Sequence, residues 1–185
     1  AEAGAAGASA AAALSPMARG AALLTLGTAV SGAFVAGNDA GCAYNTWPYM
    51  VDDRDVGGDA VFVPDGLLAL RPAWRNFFEN TATVQFDHRN LAYATALTVG
   101  GLAASARFSD AWPALPASAR RWVGAGALAV SGQVFLGVAT LVNCVPVPLA
   151  AAHQAGSLVV LTTMLGAAHS LGKAAAPALV NAAGR

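Results

Sequence analysis

The chain has 185 residues, 56% of them hydrophobic and only 11% charged, with a mean hydropathy of +0.53. Ten acids balance ten bases. That composition lies outside the range of ordinary soluble domains and supplies no basic face for nucleic acid, so the chain reads as an integral membrane protein.

In chain order, residues 1–18 (AEAGAAGASAAAALSPMA) are low-complexity and read as a flexible lead-in or linker, and a start at Ala1 reads as a mature product or a fragment. A first apolar span, 20–36, lies between Arg19 and Asp39 and predicts a helix over about 19–37. Residues 38–75 form an acidic, aromatic loop. A second helix, over about 76–106, carries Asp87-His88-Arg89 and then seventeen uncharged residues, 90–106. Residues 122–172 contain no Lys, Arg, Asp or Glu, too long a stretch for one crossing. The VPVP run at 145–148 divides it into helices over about 120–143 and 149–172, because proline lacks a backbone donor and disfavours helix in the residue before it. The expected fold is all-α: an integral membrane four-helix bundle over 19–173, with a C-terminal tail at 174–185.

Orientation follows from charge. With four crossings, one side holds Arg19, Arg107, Arg120, Arg121, Lys173 and Arg185 against Glu2 and Asp110. The other holds Arg54, Arg71 and Arg75 against Asp39, Asp52, Asp53, Asp55, Asp59, Asp65 and Glu79. The positive-inside rule then puts both termini on the inner side, matrix or cytoplasm, and the aromatics of the 38–75 loop at the outer headgroups.

Two histidines stand out by depth. His88 precedes Arg107 by 19 residues and His153 precedes Lys173 by 20, on helices running in the same direction. At about 1.5 Å per residue these separations are roughly 28 and 30 Å, so both imidazoles lie at one level near the outer edge of the hydrocarbon. Two neutral imidazoles facing each other across a bundle hold a haem iron from both faces. The plainer alternative is that each hydrogen-bonds to a neighbouring helix. His169, about 24 Å further along the helix than His153 and turned by roughly 160°, cannot reach the same iron.

Arg89, or Arg75 from the loop, would meet the haem propionates, while snorkelling or pairing with Asp87 accounts for Arg89 equally well. Gly27, Gly32, Gly100, Gly101, Gly132 and Gly137 would admit a flat macrocycle or simply allow close helix packing. Cys42 and Cys144 both fall on the outer side, where a disulfide is chemically allowed and separate thiols fit as well.

The stretches GNDAGCAYNTWPYM (37–50), RPAWRNFFENTATVQFDHRNLA (71–92) and VPVPLAAAHQAGSLVVLTTML (145–165) resemble the haem A synthase family in its mitochondrial and alphaproteobacterial form. The resemblance covers about 20–172 and matches the second of the family's two four-helix bundles only. It implies oxidation of a methyl group of haem O to a formyl group, giving haem A for cytochrome c oxidase. It implies haem b as cofactor, with His88 and His153 as its axial ligands and Gln85, Arg89 and Arg75 in the cofactor-binding set. The family's Glu-x-x-His-Arg motif appears here as Gln85-Phe86-Asp87-His88-Arg89, so no acid catalyst stands in this half.

The implied partners are haem O, the N-terminal half of the enzyme, an electron donor such as a ferredoxin, haem O synthase and oxidase assembly factors, with a homo-oligomer also open. The implied location is the mitochondrial inner membrane, or a bacterial cytoplasmic membrane. Two other readings remain: a membrane bis-histidine cytochrome b passing electrons to a different enzyme, and a haem-free assembly or scaffold protein.

Overall fold

The computed structural model describes residues 2–54, 58–110 and 112–183. Four long helices dominate: α1 (Glu2–Gly37), α4 (Thr81–Arg107), α5 (Ala117–Val142) and α6 (Val147–Ala183). Between α1 and α4 lie the short helices α2 (Ala40–Ala43) and α3 (Asn76–Glu79), and a two-stranded antiparallel hairpin, β1 (Val51–Asp52) with β2 (Ala60–Val61). The protein is an all-α membrane protein.

Each long helix packs on two others, α1 on α4 and α6, and α5 on α4 and α6, which closes a four-helix ring. The packing pairs give its polarity. Gly101 of α4 faces Met17 and His88 faces Gly32, so α1 and α4 are antiparallel; Gly137 faces His153 and Gly166 faces Trp122, so α5 and α6 are too. Among the described residues three helices are long and apolar enough to span a bilayer, over Gly4–Gly37, Ala117–Val142 and Val147–Ala176. At 27 residues α4 is long enough but more polar, because Gln85, Asp87, Arg89 and Asn90 occupy its first half. Its place in the bundle comes from packing between α1 and α5.

The 1–18 lead-in expected to be flexible is, over its described part, the start of α1. Alanine has the highest helix propensity, and Ala11, Leu14 and Ala18 are buried in the core, so both local preference and packing favour helix. Likewise α6 continues past 172 to Ala183, through much of the expected tail, with Leu171 and Ala175 buried in the same core. The expected second helix is split. Asn80 leaves the helical region, and its side chain accepts a hydrogen bond from the Thr83 amide at 3.2 Å, capping α4.

At the α5–α6 turn, Cys144 and Val145 are both left-handed, at φ 59° and 57°. That conformation is strained for a β-branched residue. Two bonds hold it: Cys144 N donates to Leu141 O at 3.0 Å and Val145 N to Thr140 O at 2.9 Å. A Cβ on Gly41 would stand 3.0 Å from Val145 Cγ2, so this glycine lets the turn seat against α2.

The apolar core is unevenly distributed. Its large members, among them Leu14, Leu102, Leu115, Met164 and Leu171, lie toward the end that carries Arg19 and Lys173. Toward the other end the buried residues are more polar, among them Asn76, Thr83, Gln85, Arg89 and Thr140 beside Val84.

Candidate functional site

His88 sits on α4 against α1. Its Nδ1 lies 2.8 Å from Ser31 Oγ, and Ser31 Oγ in turn donates to the Thr28 carbonyl at 2.7 Å. A hydroxyl has one proton, and here the carbonyl, which can only accept, takes it. Ser31 must therefore accept from His88 Nδ1–H, which leaves the Nε2 lone pair bare. Thr28 is itself fixed, donating to Leu24 O at 2.8 Å and lying 2.7 Å from Thr95 Oγ1. The imidazole is thus oriented with the correct nitrogen available to a metal.

His153 is held differently. Gln133 Nε2 on α5 donates to the His153 backbone carbonyl at 2.8 Å, while His153 Nδ1 and Gln133 Oε1 are both buried without a partner. Buried orphan atoms are rare and call for an explanation.

The glycines sort into two groups. Gly27, Gly100 and Gly132 face open space, whereas a Cβ on Gly32 would stand 3.0 Å from His88 Cε1 and one on Gly137 2.8 Å from His153 Cε1. Gly101 packs on Met17 at 3.2 Å. Each imidazole therefore rests on a glycine of the preceding long helix, a repeat of one device in the α1–α4 and α5–α6 pairs.

Arg89 neither pairs with Asp87 nor reaches outward. Its Nη1 donates to the Tyr49 carbonyl at 2.9 Å and its Nη2 to the Tyr44 carbonyl at 2.8 Å, with the side chain almost wholly buried. Gln85, one turn earlier, donates Nε2 to the same Tyr44 carbonyl at 3.3 Å. These two residues clip the start of the 38–75 loop onto α4 beside His88. Each charge-assisted bond of this kind contributes about 1.5–3 kcal/mol. Arg89 Nε and Gln85 Oε1 remain buried and unpartnered. Asp87 points the other way, into a cavity of about 200 Å³ lined by Ser31, Phe34, Val84 and Leu91.

Arg75 lies on the exposed segment before α3 and pairs with Glu79, its Nε donating at 3.0 Å, which holds the Glu79 carboxyl below the usual carboxylate range. Cys42 and Cys144 are free, exposed thiols; Asn45 Nδ2 donates to Cys144 Sγ at 3.2 Å. His169 is exposed and lines a different cavity with Arg19 and Lys173. Among the described residues no group of three or more His, Cys, Asp or Glu could hold a metal. Two imidazoles suffice where a macrocycle supplies the other donors.

Four packed helices, two of them carrying a histidine seated on a glycine of the preceding long helix, define an all-α membrane protein, and similarity to known proteins makes the class specific. Residues 2–165 match the family described as cytochrome oxidase assembly protein, and the chain belongs to that family. It is similar to the heme A synthase COX15 of Arabidopsis thaliana, 49% identical over 144 residues covering 78% of this chain and 29% of the relative. It is 42% identical to the heme A synthase of Parvibaculum lavamentivorans, over 78% of this chain and 37% of the relative. It is 41% identical to the heme A synthase COX15 of Homo sapiens, over 80% and 33%. The chain thus spans about a third of the length of these curated relatives. No solved structure matches it.

Proposed function

We propose that this chain is the haem b-binding, electron-transferring half of a haem A synthase, with His88 and His153 as the two axial ligands. The observation that carries the reading is the state of the two imidazoles: each rests on a glycine, and Ser31 leaves His88 Nε2 free to coordinate. A haem bound between two histidines supplies one-electron transfer and no open coordination position. Oxidation of the haem O methyl group belongs, on this reading, to the N-terminal half of the enzyme, in the mitochondrial inner membrane, with electrons from a donor such as a ferredoxin. Arg89 is the better placed cation for a propionate. It adjoins His88 and keeps an unpartnered Nε, whereas Arg75 is engaged with Glu79.

The test is the reduced-minus-oxidised absorption spectrum of the purified chain, with the pigment then extracted and typed. A low-spin spectrum from haem b supports the reading; a colourless, folded protein leaves the scaffold function in its place. The glycines give a sharper check. Gly137→Val should push the His153 ring out of place and cut haem retention at least tenfold, while Gly132→Ala, which meets nothing within 4 Å, should leave retention unchanged. Equal retention in both variants would contradict the cradle.

The proposed orientation has both termini on the inner side. Cysteine labelling in sealed vesicles should reach positions 58–65 only from outside and positions 113–118 only from inside. Labelling of both loops from one face would remove the topology.

A further inference from the structure

At the end of the bundle remote from His88 and His153, α1 and α6 border an open depression of about 460 Å³ lined by Arg19, Leu165, Ala168, His169, Gly172 and Lys173. No acid lines it. Among the described residues the two ion pairs are Arg54 with Asp52 and Arg75 with Glu79, and no hydrogen bond ties down Arg19, His169 or Lys173. Gly172 lies beside the Arg19 guanidinium, where a Cβ would make an ordinary contact with Nη2 at 3.4 Å. Arg19 is the one charged residue of the apolar stretch Gly4–Gly37 in α1, and Lys173 the one of Val147–Ala176 in α6, so each helix brings its single cation to this place.

The lining is also polarised. Leu165, 56% exposed, and Ala168 lie up to about 12 Å along α6 from Lys173, on the side of the membrane interior. A ligand that fits has an anionic head and an apolar tail. A small soluble anion would satisfy the cations and leave the apolar wall bare.

We propose that this cavity is a binding site for an anionic phospholipid, its phosphate held by Arg19 and Lys173 with His169 beside it, and an acyl chain lying over Ala168 and Leu165. The site differs in place and chemistry from the histidine pair and does not depend on the function proposed for that pair. Basic cavities between membrane helices suit phosphate headgroups, each cation adding attraction of about 1 kcal/mol.

Native mass spectrometry of the full chain in detergent, with phosphatidylglycerol or phosphatidylcholine added at equal ratios, tests the proposal. One phosphatidylglycerol should be retained in preference to phosphatidylcholine. Arg19→Gln/Lys173→Gln should lower that retention about thirtyfold, two attractions of the cited size. Arg107→Gln/Arg121→Gln, which removes the same charge elsewhere at that end, should leave it unchanged. Ala168→Phe keeps every cation but fills the cavity, and should also expel the lipid, which keeps the test decisive if the charge variant fails to fold. Equal retention of both lipids, or equal loss in the two charge variants, would overturn the site. Displacement of the lipid by inorganic phosphate at matched concentration would assign the cavity to a soluble anion and overturn the lipid assignment.

Discussion

Replacing either His88 or His153 with Ala is expected to abolish the low-spin haem spectrum, whereas His169→Ala should leave it intact. The difference is geometric. His88 and His153 rest against Gly32 and Gly137, while His169 is exposed beside Arg19 and Lys173, about 24 Å further along α6 than His153. Losing one axial ligand opens the iron and changes its spin state, so the absorption spectrum reports it directly. Ser31→Ala should act on the same spectrum more gently. It leaves the His88 ring without its acceptor, and losses of this kind lower metal affinity by about 10–100-fold. A normal low-spin spectrum in both histidine variants would end the bis-histidine assignment.

The second large effect is an absence of product. Residues 1–185, given haem O and a reducing system in membranes, should bind haem and yield no hydroxylated or formyl haem above a no-protein control. General acid or base work needs a group that exchanges a proton near neutral pH, and an amide cannot. Gln85 is such an amide, and its Nε2 donates to the Tyr44 carbonyl. Restoring a carboxylate with Gln85→Glu should therefore not create activity. It would set an acceptor against that carbonyl and loosen the loop clip shared with Arg89. Chromatography of the extracted haems gives the answer, and formyl haem from this chain alone would place the chemistry in this half.

What sequence could reveal depended on regularity. The spacing of His88 from Arg107 and of His153 from Lys173 was legible because helical rise is fixed, so counting residues along one helix needs no tertiary knowledge. The break at 145–148 was legible because proline acts locally. The helical nature of 2–18 was not, because low-complexity alanine reads as linker until a partner helix buries Ala11, Leu14 and Ala18. The split at Asn80 had a signal, an asparagine in capping position before Thr81.

The loop clip was hidden for another reason. Gln85 and Arg89 are four residues apart and visibly share a helix face, but their acceptors are backbone carbonyls, which every residue has. Ser31 was missed in the same way. Its role needs α1 laid beside α4, and nothing in residues 20–36 names that neighbour. The glycines show the limit most plainly: six looked alike in sequence, and only the packed helices separate Gly32 and Gly137, which carry the histidines, from Gly27, Gly100 and Gly132, which face open space.

The central claim is an iron closed by two histidines, and the most direct measurement is carbon monoxide addition to the reduced, haem-loaded chain. If His88 and His153 occupy both axial positions, the spectrum stays unchanged at carbon monoxide concentrations that saturate a five-coordinate haem. A prompt shift to a carbon monoxide-bound spectrum in the unmutated protein would show an open position and contradict the account.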